Sequence, residues 1–596
     1  ASVGDSRLRN LKARDFAFKD LPSSTELSIR DLTAERLDSG GNRIEGLRAD
    51  TVTLRDVGPD TLIYSDRLRV ARVEAGSATL GSLNIAGVRL TIREGRIEAR
   101  SEDIDAGNVT LSKGGAFPEG GTIENVVAAK PVYVLEPSGR YRATADMSIG
   151  GGFLGSINLG SARSRVVITN DRAELNELVA QVMDGEVRGE ARIALTSRSE
   201  STINADFSSL DISKLIALGA GRILPIQGET TGRADISFRG TDIRTATGEI
   251  NANIAASAGN DADGRFPLNG SIRINAADGL LNVENAKLAT EKSELIASGK
   301  FDLLGTNSDL ELALRSSDAS EAERMIRILD VSPGLTEQLD AYRVVLRDDL
   351  TFDGRVTGSL SEPELKGKLS LGSISLREQE LGRVSAELDF SSRGIFVSNG
   401  KLLEVEGGQM EFAVAIPAAG INNTSVTATL NNISAGRLLT AIPIELPASL
   451  QGLRGNTSGT IELRGLPNES QGTIYIVSRQ GTLNGQPFDE LRAAAKFEGT
   501  VVNIDSASVE ADGGRATFTG SYDRATKNFS GELKGSKVPV PLLLALLPAS
   551  ESLPVAIGTV DFSAMGSGNL EQTSSIQLTF EGRGSGIVIN ENPFGD

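Results

Sequence analysis

The chain has 596 residues with no Cys, His or Trp, 66 glycines, 4% aromatics, and 79 acidic against 61 basic residues, for a formal net charge of -18. This composition excludes disulfides, thiol and imidazole chemistry, and metal sites built on His or Cys. The averaged negative surface repels phosphate backbones and anionic headgroups, so nucleic acid is not an expected partner. The length exceeds one ordinary core and calls for several domains or a repeat array.

Alternation of apolar and polar residues begins at once. "LSIRDLTAERL", "IEGLRADTVTL" and "LNIAGVRLTIREGRIEA" read as loosely repeated strands within residues 1–138. "GGGFLG" from Gly150 to Gly155 fits a dinucleotide-type glycine pattern, but it runs into "SINLGSARSRVVI", more strand and no helix, so a glycine turn is expected. "NDADG" from Asn260 to Gly264 lacks the later ligands of a calcium loop and reads as a turn. Asp348 and Asp349 are one of many chance carboxylate pairs and do not make an active site.

From Pro363 the pattern is clearest. In "PELKGKLSLGSISL" Leu365, Leu369 and Leu371 share a face, the phase slips at Gly372 and Ser373, and Ile374 and Leu376 resume it, which predicts a bulge or turn. "RVSAELDF", "QMEFAVAI", "LRAAAKF" and "ATFTGSY" follow as one-sided strands separated by turns. The pattern recurs at Gly248, Gly367 and Gly472, opens also near Thr144, and begins again near Ile576, a long-period repeat of roughly six or seven strands per unit. The expected segments are 1–138, 139–243, 244–360, 361–465, 466–570 and 571–596. Short helices are predicted at "LDISKLIALGAG" from Leu210, "DASEAERMIRIL" from Asp318, "ISAGRLLTAI" from Ile433 and "VPVPLLLALL" from Val538. None reaches the eighteen or so apolar residues of a membrane span, so any anchor is expected outside the segment.

The apolar face of such a sheet can be covered in a sandwich, closed in a solenoid, or left as a groove. No linker separates the units, as a sandwich array requires, and the strand spacing is too irregular for a solenoid. Periodicity alone does not decide between stacked, closed β domains and a groove.

The grammar G-x-L, P-x-L-x-G-x-L-x-L, F-x-x-L-x-A-x-L-x-F and G-x-x-x-F resembles the TamB and AsmA-like proteins of diderm bacteria, relatives in architecture of chorein-type bridge lipid transporters. Gly358, Leu360, Pro363, Leu365, Gly367, Leu369, Leu371, Leu381, Ala386, Leu388, Phe390, Gly408 and Phe412 carry it. Gly465, Leu466, Gly472, Ile474, Ile476, Phe488, Leu491, Ala493, Ala495, Phe497, Gly514 and Phe518 carry it again. The likeness spans about 139 to 596.

The resemblance implies an all-β fold: an elongated, twisted, folded-over antiparallel sheet (a β-taco or repeating β-groove) with an apolar inner trough and a few short helices. Its implied task is non-catalytic passage of phospholipid across the periplasm between inner and outer membranes. The implied partners are phospholipids, an inner-membrane anchor outside this segment and an outer-membrane assembly barrel, with no cofactor and no metal. The alternating residues expected to line the trough are Ile272, Ile274, Phe301, Leu369, Leu371, Ile374, Leu376, Val384, Leu388, Phe390, Met410, Phe412, Val414, Ile416, Ile474, Ile476, Leu491, Phe497 and Phe518. The alternatives are a scaffold for outer-membrane protein assembly, working through a sheet edge, and an extracellular β adhesin or glycan-active protein with a closed core.

Overall fold

A computed structural model describes residues 2–3, 6–113, 120–154, 157–196, 198–220, 225–240, 242–256, 265–277, 280–302, 307–329, 339–340, 343–359, 362–418, 423–441, 452–466, 469–545 and 555–593. The predicted all-β class is what it shows: strands dominate and follow one another as antiparallel neighbours. The chain divides into two compact units, Ala1–Glu291 with Ala297–Asn307, and Lys292–Ile296 with Ser308–Asp596. The glycine stretch at 150, expected as a turn, instead enters a short strand, Gly151–Leu154, that pairs with Gly121–Leu135 and Ile157–Thr169. The turn predicted at 260–264 lies outside the described residues.

The alternation dictates strands, and small irregularities bend them. Near the start of the first unit, long strands break into successive pieces. Gly121–Leu135, for instance, pairs with Arg96–Arg100 at one end and with Asp103–Leu111 at the other. Elsewhere the bend is a bulge with two residues opposing one. Residues 208–209 oppose 231, 398–399 oppose 413, 431–432 oppose 458, and 536–537 oppose 561. The second bulged residue takes positive φ at Ser209 (54°), Asn399 (50°), Asn432 (59°) and Lys537 (48°). An extra residue slips the phase by one, so Phe207 and Leu210, or Leu430 and Ile433, keep one face despite their odd spacing. The slip at Gly372 and Ser373 is such a bulge inside one continuous strand, Pro363–Leu376.

A bulge leaves an N–H without its ladder partner, and the strand opposite supplies a side-chain oxygen. Thr231 Oγ1 accepts from Ser209 N–H (3.3 Å), Ser458 Oγ from Asn432 N–H (3.0 Å), and Asp561 Oδ1 from Lys537 N–H (2.9 Å). The Lys537 N–H bond, helped by the Ser536 hydroxyl, holds the Asp561 carboxyl below its ordinary value. A carboxyl with a depressed folded pKa stabilises above its unfolded pKa and loses that contribution as pH falls through the folded value. Below about pH 4 the Lys537 amide should therefore exchange faster while the Asn432 amide, held by a serine, should not. Amide hydrogen exchange from pH 6 to pH 3, corrected for intrinsic rates, checks this; equal loss of protection at both amides would count against it.

All four predicted helices form: α1 (Ile212–Ala220), α2 (Ala319–Leu329), α3 (Ala435–Ala441) and α4 (Val540–Ala545). Three of them start where a polar side chain accepts from an amide in or just before the first turn. Asp211 Oδ1 accepts from Ser213 N–H at 2.8 Å, Asp318 Oδ1 from Ser320 N–H at 3.0 Å, and Glu404 Oε2 from Ser434 N–H at 3.0 Å. At the far end of α4, Asn484 Nδ2 donates to Ala545 O. Six described strands lie between α2 and α3, and six between α3 and α4. Successive antiparallel strands reverse direction and six is even, so all three helices emerge at the same end of the strands.

The helices lay their apolar sides on the sheet's apolar face at that end. Ala319 and Ala322 of α2 pack with Leu350, Leu371, Val384 and Leu402. Ala435 of α3 and Leu542 of α4 join Leu453, Leu483, Phe488 and Val538. In the first unit Ile212 of α1 packs with Ile254 and Leu268, beside the small parallel pair Ile226–Gln227 and Phe266–Pro267. Glu323 of α2 also accepts from Leu346 N–H at 2.8 Å and pairs with Arg327 at 2.9 Å, fixing that helix to the next strand.

Candidate functional site

Away from the helices, the apolar face of the second unit is laid out as long cross-strand rows. One runs Gly354, Gly367, Leu388, Val397, Val414, Val426, Leu463, Gly472, Phe497, Val502, Tyr522 and Phe529, each directly opposite the next. Beside it run Phe412, Ala428, Ile461, Ile474, Ala495, Ile504, Gly520, Gly531, Gly566 and Leu578. A third holds Met410, Leu430, Gly459, Ile476, Ala493, Ala507, Phe518, Leu533, Ala564 and Phe580. Phe390 and Ile416 meet through Ile395 on the outer side.

The sequence-expected residues thus separate into two groups. Leu388, Phe390, Met410, Phe412, Val414, Ile416, Ile474, Ile476, Phe497 and Phe518 fall on these rows or directly beside them, and all but Phe497 are half-buried. Leu371 and Val384 belong to the cluster around α2, with Leu369, Ile374, Met410 and Phe412 at its border. Leu491 packs against the α3 and α4 cluster, and Ile272 against that of α1. A helix covers the members at those cluster centres, so they do not extend the open face. Leu376 is half-buried opposite Val344, Ile274 pairs with Ile250, and Phe301 is half-buried in Ser293–Asp302. At the slip both sides of the strand are covered: Ser373 and Ser375 are each 2% exposed, while Ile374 packs on the α2 cluster.

Rings in and beside these rows lie against the backbone of neighbouring glycines. A Cβ on Gly400 would fall 2.6 Å from Phe412 Cε2, one on Gly531 2.6 Å from Phe518 Cε2, and one on Gly367 2.6 Å from Phe352 Cζ. Phe518 fills the gap left by the paired glycines Gly520 and Gly531, and Phe352 the gap over Gly354 and Gly367. A ring laid flat covers bare backbone without standing up from the face. Gly367 is also a repeat anchor in the sequence, but Gly354, Gly400, Gly520 and Gly531 were missed there, although the F-x-G spacings of Phe352 with Gly354 and Phe518 with Gly520 are visible in it.

Among the described residues of the second unit, both buried clusters join consecutive strands of the sheet and the helices resting on them. Neither brings two distant stretches of sheet face to face, as a sandwich core would. The opposite face is solvated and carries ion pairs two residues apart on one strand, such as Lys534 with Glu532 (2.6 Å) and Lys496 with Glu498 (2.5 Å). Hydrogen bonds from Arg492 and then Arg479 hold the Glu490 carboxyl below its ordinary range. These shifts belong to a solvated lattice outside the apolar rows. Among the described residues no group of His, Cys, Asp or Glu is placed to hold a metal. No helix there is long and apolar enough to cross a membrane.

No family model matches the sequence, and no curated protein matches it.

Proposed function

We propose that the chain is a non-catalytic lipid conduit whose apolar rows solvate phospholipid acyl chains, as in the periplasm-spanning TamB and AsmA-like proteins it resembles, linking inner and outer membranes. The observation that carries this reading is the run of apolar rows over which, among the described residues, no second sheet packs. Apolar surface that protein leaves uncovered is stabilised by another apolar solvent, and long chains need a face without obstructing side chains. Flattened rings and intervening Gly and Ala supply such a face. The deciding experiment is mass spectrometry of lipids extracted from the chain after detergent-free purification from a diderm bacterial host. Several phospholipids per chain support the conduit. A lipid-free, monodisperse protein would favour a closed β protein such as an adhesin or glycan-active domain.

A further inference from the structure

We propose that the bound lipid has a fixed orientation across the strands, with its headgroup leaving at the hairpin end and never at the helix end. The inference rests on the lipid reading above and adds to it which end of the strands is open.

The helix end is filled by protein. Leu371 is 3% exposed, Leu483 2%, Leu542 2% and Val538 1%, and α2, α3 and α4 all rest there because six strands separate each from the next. A charged headgroup placed at this end would displace packed apolar side chains and lose its water. Short turns join strands at both ends, such as 377–378 at the helix end and 392–393 between Ser391 and Gly394 at the other, the hairpin end; what sets the hairpin end apart is that no described helix covers the adjoining rows. That end also carries a cation on the apolar side. The Arg524 guanidinium lies 5.9 Å from the centre of the Phe497 ring, over the outermost row, and donates to Gly499 O at 2.8 Å and Ser470 Oγ at 3.3 Å. A guanidinium at the border between apolar face and water complements a phosphate, and the aromatic beneath suits the first methylenes of an acyl chain. The occupant fitted to this border is a diacyl lipid with an anionic phosphate headgroup.

Strand Gln379–Ser391 supplies a ruler. Glu378 is an exposed turn residue at its helix end, Ser392 an exposed turn residue at its hairpin end, and Leu388 lies on the row between. The chain has no cysteine, so single cysteines at these positions can carry a fluorophore without other changes. The full chain would be loaded with phosphatidylethanolamine bearing a nitroxide on its headgroup, or with phosphatidylcholine bearing one on its acyl chain. The expected result is headgroup quenching at Ser392 at least about threefold above that at Glu378, with acyl quenching strongest at Leu388. Headgroup quenching at Glu378 equal to or above that at Ser392, with acyl quenching intact, overturns the orientation and leaves the lipid reading standing. No quenching by either probe at any position overturns both.

Arg524→Gln adds a readout that a structural role would not move. Retained phosphatidylglycerol should fall severalfold while retained diacylglycerol is unchanged. An equal fall in both lipids would assign Arg524 to holding Ser470 and Gly499 only.

Discussion

Leu388→Asp should cut phospholipid transfer between donor and acceptor vesicles by about tenfold or more, while Leu388→Ala changes it less than about twofold. Leu388 stands between Gly367 and Val397 in the longest apolar row, half-buried and outside the helix-covered clusters. A carboxylate there must lie among acyl chains without a partner, at a cost of several kcal/mol, and about 1.4 kcal/mol already changes an occupancy tenfold. Alanine removes one contact among many on a face that acts collectively. Because Leu388 is only half-buried, the aspartate variant should keep the folded protein's circular dichroism and protease resistance, which separates blockage from unfolding. Undiminished transfer in the folded aspartate variant would mean that lipid does not pass along this row. Phe412→Arg should act in the same direction with a larger loss of stability, since the Phe412 ring also packs over Gly400 and against the α2 cluster.

Gly531→Val should destabilise the second unit by about 3 kcal/mol, at the upper end of the usual cost of overpacking. The added Cβ alone would lie 2.6 Å from Cε2 and 2.9 Å from Cζ of Phe518, and 3.1 Å from Thr519 O. The ring must then lift off the sheet, which uncovers Gly520 and stands an aromatic up in the row that Ile474 and Ile504 share. Urea unfolding of the full chain, followed by exchange of the 514–539 amides, reads the loss. Phe518→Leu in the same chain should restore part of the stability, because the smaller side chain no longer collides with the valine. Coupling between the two changes is expected, as contacting residues are not additive. A purely additive double variant would show that ring and glycine do not depend on one another.

Much of the fold is legible along the chain. Alternation places nearly every strand, as in Val384, Ala386, Leu388 and Phe390, because side chains two apart share a face whatever the strand packs against. The helices could be read for an equally local reason: Asp211 and Asp318 stand just before short apolar runs and cap them in the structure. Turns such as 512–513 announce themselves through Asp-Gly. The phase slip at Gly372 and Ser373 is also visible, since a bulge must break the alternation where it occurs.

What covers each apolar residue was not legible, because cover depends on partners remote in sequence. Leu371 and Leu388 share a strand-face pattern, yet Leu371 lies under α2 and Leu388 does not. The difference comes from where an antiparallel register brings the helix, and nothing near either residue encodes it. Likewise Phe518 and Gly531 are thirteen positions apart, and only the pairing of Gly520 with Gly531 brings the ring over both glycines. By itself the sequence determined which residues face together, since period-two geometry is local. Only the tertiary structure decided which of those faces are buried, because burial is set by register, bulges and helix placement acting between distant strands.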